Sequence, residues 1–132
     1  MKTQKVKVSV VIEKTETGYS AFAEDYAIFT TAGTIPELME NTIEASNLFF
    51  EDQKQRIRQE NIHFVIDFKQ FFQYYKVINA KFLAQKIGMN ESLLSQYVQG
   101  KKKPSDQQTN KILNGIHQIG RELTEIDLIH RP

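Results

Sequence analysis

The sequence predicts an α+β fold, with a small β-β-β-α-β domain over residues 1–67 followed by an all-helical domain over residues 68–132. Three observations carry this expectation. Apolar residues recur at period two in four short runs before Phe68 and in none after it. Between the third and fourth runs the period lengthens to that of a helix. Charge also divides at the same place. Up to Asp67, seven Lys and Arg stand against eleven Asp and Glu; beyond it, ten stand against five. A chain of net charge +1 is therefore −4 in one part and +5 in the other, which points to two domains with different partners.

The first strand is KVKVSVVIE, with Val6, Val8, Val10 and Ile12 on one face and Lys5, Lys7 and Ser9 on the other. KTETGYS ends it, Gly18 supplying a turn. GYSAFAED and AIFTTAG read as two further strands of an antiparallel meander. In TIPELMENTIEASNLFFEDQKQRIRQ, Thr34 and Glu37 have capping-box spacing and Pro36 sits in the first turn, where its missing N–H costs little. Ile35, Leu38, Thr42, Ala45 and Phe49 then form one stripe, predicting a long helix buried against the sheet. IHFVIDF is the fourth strand, with Ile62, Phe64 and Ile66 on one face.

From Phe68 onward every signal is helical. Phe68, Phe71, Phe72, Tyr75 and Ile78 make an aromatic stripe of the kind that fills a core. Asn79 is placed to cap NAKFLAQKIG, which ends at Gly88 in the position that favours glycine. After the segment GMNESLLSQYVQGKKKP, Ser105 and Gln108 form a second capping box, and Ile112, Ile116, Ile119 and Leu123 the stripe of a last helix. The junction at Asp67–Phe68 has no Gly/Ser linker.

Composition narrows the function. The 132 residues contain no cysteine, no signal-peptide pattern at the N-terminus and no run approaching the roughly 18 apolar residues of a membrane span. A soluble cytoplasmic protein without disulfides is expected. His63, His117 and His130 are scattered without metal-ligand spacing. Glu24 and Asp25 are adjacent, so on a strand they point to opposite faces. Glu13 and Asp67 can approach each other, but no set of three or four carboxylates lies on one face to hold Mg²⁺. The expectation is a binding protein, not an enzyme, with no cofactor and no metal.

The binding chemistry is concentrated near Gly88. Two helices, Ala80–Ile87 and Glu91–Gln99, joined by Gly88-Met89-Asn90, have the length and turn of a helix-turn-helix. Leu83, Ile87, Met89, Leu94 and Tyr97 supply the contacts where the helices cross, and Ala84 is small enough for close approach. Gly88 can take the positive φ of the bend. Either Asn90 or Ser92 can cap the second helix. With the inner face used, Glu91, Ser92, Ser95, Gln96 and Gln99 face outward, short or amide-bearing groups suited to base edges and phosphates. Lys101, Lys102 and Lys103 follow, where a chain leaving the major groove meets phosphate. The candidate DNA-binding set is therefore Asn90, Glu91, Ser92, Ser95, Gln96, Gln99 and the three lysines.

FLAQKIGMNESLLSQYVQGKKKPS resembles the helix-turn-helix of the Cro/repressor-like (xenobiotic-response-element) family, through Leu83, Ala84, Ile87, Gly88, Leu94, Ser95, Gly100 and Lys103-Pro104-Ser105. VVIEKTETGYSAFAED and FTTAGTIPELMENTIEA resemble the HicB antitoxin domain, a truncated RNase H-like fold. Together the two cover nearly the whole chain, in the order found in HicB antitoxins with a C-terminal DNA-binding domain. The resemblance implies an antitoxin that binds and neutralises a small basic ribonuclease toxin, HicA-like, and represses its own operon on double-stranded operator DNA as a homodimer or higher oligomer. The acidic Glu37, Glu40, Glu44, Glu51 and Asp52 on the long helix are the candidate toxin contacts. The alternative is a stand-alone repressor whose N-terminal domain senses a ligand or another protein. Two departures bear on these expectations. YAIFTTAG stands where many members have a Pro-Gly-Cys type turn. Glu91 stands where the family often has Gln; a glutamate accepts from cytosine N4 but repels phosphate, so Ser92, Ser95 and Gln96 are expected to carry the readout.

Overall fold

A computed structural model describes residues 6–128 and shows an α+β chain with a four-stranded mixed sheet and five α-helices. Lys5 and His130, which figured in the sequence reading, lie outside the described residues. The strands are β1 (Val8–Lys14), β2 (Tyr19–Ala23), β3 (Phe29–Ala32) and β4 (Ile62–Ile66), in the order β3-β2-β1-β4. β2 pairs antiparallel with both β1 and β3, and β4 lies parallel to β1. The helices are α1 (Ile35–Phe49), α2 (Phe68–Tyr74), α3 (Ala80–Ile87), α4 (Glu91–Val98) and α5 (Asp106–Glu125).

The period-two pattern sets the sheet. Val8, Val10 and Ile12 stand opposite Ile62, Phe64 and Ile66, so one face of both strands is apolar, and Ala21 and Ala23 extend it onto β2. α1 packs on the sheet with Leu38 at its centre. Glu24 and Asp25, expected on a strand, lie beyond the end of β2 in the turn to β3, and the Ser9 hydroxyl donates to Glu24 Oε1 at 2.9 Å.

The long helix is shorter than its sequence pattern, and its buried line keeps Leu38 and Thr42 of the expected stripe but departs from it at both ends. It runs for 15 residues and stops at Phe49. The buried residues are Leu38, Thr42, Ser46 and then Phe50, whereas Ile35 and Phe49 are exposed. Thr42 and Ser46 tolerate burial because each hydroxyl donates to the carbonyl one turn earlier, at 2.7 Å in both cases. Phe50 turns into the core, a single 3-10 turn follows at Glu51–Gln53, and Lys54 adopts a left-handed φ of 54°. The chain thus reverses to bury Ile57. Asn47 pins that return segment, accepting from Ile57 N–H at 2.7 Å and donating to its carbonyl at 3.1 Å. A continued helix would carry Ile57 away from the core.

α2 belongs with the sheet. The chain divides into two compact units at Tyr74–Tyr75, seven residues beyond the expected boundary. The physical reason is Gln70. Its amide donates to the Lys14 carbonyl at 2.6 Å and accepts from Lys14 N–H at 2.9 Å, adding one side-chain rung to β1 where β4 has ended. Phe68 and Phe72 of the same helix are buried. The helix ends at Tyr74, and Tyr75 and Ile78, read as part of its stripe, close a separate turn in which Ile78 N–H donates to the Tyr75 carbonyl at 3.0 Å. With the boundary there, the charge imbalance persists: eight Lys and Arg against eleven Asp and Glu in the first unit, nine against five in the second.

At the end of β1, Glu13 meets Asp67. Burial raises the Glu13 pKa first, and the hydrogen bond to and charge of the Asp67 carboxyl raise it further. A carboxyl whose folded pKa lies above its unfolded value adds stability below the unfolded value, and that stability is lost as pH rises through the folded one. Glu13→Gln is therefore expected to stabilise the first unit at neutral pH, and the gain should shrink as pH falls toward 4.5, the ordinary value. Urea midpoints across that range check this; a gain that grows on acidification overturns it.

Candidate nucleic-acid interface

Both bends of the motif are built in the same way. At the end of α3, Gly88 takes φ 70°, Gly88 N–H donates to the Gln85 carbonyl and Met89 N–H to the Ala84 carbonyl. At the end of α4, Gly100 takes φ 76°, Gly100 N–H donates to the Tyr97 carbonyl and Lys101 N–H to the Gln96 carbonyl. These paired bonds are the Schellman arrangement, in which a left-handed residue satisfies the last carbonyls of a helix. The first turns α3 sharply into α4. The second sets Lys101, Lys102 and Lys103, all exposed, directly off the carbonyl end of α4, where cations are favoured.

The inner faces close as a small core. Leu83, Ala84, Met89, Leu94 and Tyr97 are buried, and Ile112 of α5 completes them. α5 lies close to α3 because residue 115 is glycine; a Cβ there would overlap Ile87 Cγ2. Asn90 caps α4, its Oδ1 accepting from Leu93 N–H at 3.1 Å, and Asn79 and Ser105 cap α3 and α5 in the same manner.

The outer face of α4 is polar. Glu91, Ser92, Gln96 and Gln99 are exposed and Ser95 is half-buried. Glu91, Ser92, Ser95 and Gln99 line one open concavity of about 430 Å³, together with Val98 of α4 and Ala80 and Lys81 of α3. Asn90, Gln96 and the three lysines lie outside it. Asn90 has its carbonyl oxygen committed to the cap. Gln99 Nε2 donates to Ser95 Oγ at 3.0 Å, leaving the serine proton and the Gln99 carbonyl oxygen to meet a ligand. Gln85 Nε2 donates to Glu91 Oε1 at 2.6 Å, tying α3 to the first residue of α4.

Lys81 and Gln85 were not singled out in the sequence. Nothing distinguishes Lys81 there from a solvated surface lysine; the fold alone brings it beside Ser92 and Gln99. Gln85 was legible only in part, since its six-residue separation from Glu91 crosses the bend.

In the first unit, Glu37, Glu40, Glu44, Glu51 and Asp52 are all exposed. Glu37, Glu40 and Glu44 share one face of α1, and Glu51 and Asp52 sit in the 3-10 turn that follows it. Leu48 continues the same face and is 66% exposed, an apolar group at the end of an acidic stripe. Among the described residues, no group of three or more His, Cys, Asp or Glu is placed to hold a metal ion, and no helix is long and apolar enough to cross a membrane. His63 lies on β4 and His117 on α5.

No protein-family model, no curated protein and no solved structure matches this chain.

Proposed function

We propose that the chain is an antitoxin of the HicB type, whose second unit binds double-stranded operator DNA through α4 and whose first unit, of truncated RNase H-like type, binds and blocks a small basic ribonuclease. It acts in the cytoplasm as a binding protein and performs no catalysis of its own. The observation that carries the reading is the α3–α4 pair. Two Schellman turns hold a short helix with a polar outer face, and a lysine run follows at once. α4 is eight residues long, the right size to lie in a major groove with its N-terminal residues on base edges.

One such helix reads too few base pairs for specific binding, so the DNA-bound form is a two-fold dimer, with reader helices about 34 Å apart on an inverted repeat. The face offered for a second copy is the latter part of α5 together with Ile126, the residue after it. Ile116 and Ile119 are half-buried, and Leu123 and Ile126 are 61% and 68% exposed. The acidic face of α1, ending in Leu48, suits a partner that is basic around an apolar contact.

The test is a chain ending at Tyr74, compared with the full chain. The cut falls after α2 because a chain ending at Asp67 loses the Gln70 rung on β1. The shorter chain is expected to co-purify with the basic product of the adjacent reading frame and suppress its ribonuclease activity, while retaining no operator affinity. Failure of the full chain to bind that product removes the antitoxin reading; full-chain sedimentation as a monomer, free and on DNA, removes the dimer.

A further inference from the structure

The bond between Gln85 and Glu91 gives the reader helix a chemical preference. Glu91 is the first residue of α4, and groups near the N-terminal end of a reader helix are those that reach base edges. Its Oε1 accepts from Gln85 Nε2 at 2.6 Å, so the carboxylate is held at the α3 side of the outer face instead of rotating freely. It lines the same concavity as Ser92, Ser95, Gln99 and Lys81. Lys86, the neighbouring cation on α3, is turned to Glu122 of α5 at 3.3 Å. The group that fixes Glu91 is thus a neutral amide, which leaves the carboxylate's charge in place. Lys81 lines the same concavity, and a cation there acts against the repulsion that this charge meets from phosphate.

An ionised carboxylate accepts hydrogen bonds and donates none. In the major groove, guanine presents N7 and O6 and thymine presents O4, all acceptors, so each repels it. Adenine offers N6–H₂ beside the acceptor N7, an attraction next to a repulsion. Cytosine's own edge offers N4–H₂ and no acceptor, the nearest acceptor being O6 of its paired guanine. We propose that Glu91 is a specificity-determining residue that selects cytosine at one position of each half-site, and that Gln85 is the positioning residue that holds it in the reading orientation. The proposal rests on the DNA-binding reading above and adds to it the base and the residue pair that choose it.

The experiment is selection of duplexes from a randomised pool by the full-length chain and by three variants, with sequencing of the bound fraction. Wild type is expected to enrich an inverted repeat with one cytosine per half-site that other bases replace at a loss of about 5- to 150-fold. Glu91→Gln is expected to move that single position to adenine, whose N6 and N7 a glutamine amide matches, and to leave the rest of the motif unchanged. Gln85→Leu, which cannot donate, should keep the motif elsewhere and flatten the preference at that position. Gln85→Lys, which restores a donor, should keep cytosine. The readout is base identity at one position, which a merely structural role for Gln85 does not move. Enrichment of the same base there by wild type and Glu91→Gln overturns the role of Glu91. An undiminished preference in Gln85→Leu overturns that of Gln85. Recovery of no motif by wild type instead overturns the DNA-binding reading itself.

Discussion

Alanine at Lys101, Lys102 and Lys103 together is expected to weaken binding to every duplex, specific or random, and to flatten its salt dependence. Each phosphate contact contributes about 0.9 to the slope of log K against log salt on B-form DNA. Three contacts per protomer therefore contribute about 2.7. Between about 50 and 200 mM salt, wild type should lose about fortyfold more affinity than the variant for each protomer engaged. The geometry explains why the effect is non-specific. The Gln96 carbonyl accepts from Lys101 N–H at 2.9 Å and from Lys102 N–H at 3.3 Å, so the backbone of the run is pinned to the end of α4. The three side chains lie outside the concavity lined by Glu91, Ser92, Ser95 and Gln99. Titration of operator and scrambled duplexes at four salt concentrations measures the slope. An unchanged slope shows that the lysines do not meet phosphate. A loss confined to operator DNA shows that they read bases.

The second large effect lies in the other unit. Phe50→Ala is expected to cost about 3–5 kcal/mol, the range for deleting a buried aromatic ring. A unit of this size has a total stability of roughly 4–11 kcal/mol, so the substitution removes from about a quarter to all of it. Phe50 is 2% exposed, and its ring meets Tyr26 and Phe49 edge-on at centroid distances of 4.9 Å each. It is also the point where α1 ends, its N–H donating to the Ser46 carbonyl at 3.0 Å. Phe49→Ala is the informative comparison. Its ring is 42% exposed, so the same deletion one residue earlier should cost well under half as much. Urea denaturation of both variants measures the difference in midpoint at constant slope. Equal costs would mean that the chain does not turn inward at Phe50.

That pair of residues also shows where local pattern stops being enough. Periodicity placed a stripe through Ile35, Leu38, Thr42, Ala45 and Phe49, because hydropathy favours the large apolar groups at its two ends over a serine. The fold buries Leu38 and Thr42 of that stripe but takes Ser46 and Phe50 in place of Ile35 and Phe49, since hydroxyl residues that bond their own helix can be buried against the sheet. The same pattern reading carried the helix past Gln53, where the left-handed Lys54 and the Asn47 clamp reverse the chain. α2 was assigned to the helical half on its period alone. The Gln70 contact that binds it to β1 spans 56 residues, and no local pattern announces such a contact.

The sequence by itself determined the four strands, the bounds of α3, the glycine bend at Gly88 and the caps at Thr34, Asn79 and Ser105, and it narrowed the cap of α4 to Asn90 or Ser92, because each depends on backbone conformation within a few residues. It also determined the polar character of the α4 face, which needs only the helical period. The tertiary structure alone decided where the first unit ends, which residues besides Leu38 and Thr42 of α1 are buried, and that Lys81 and Gln85 stand beside α4. Those depend on which distant groups satisfy a backbone amide, fill a gap or meet a carboxylate, and such choices are made between segments, after each has already formed.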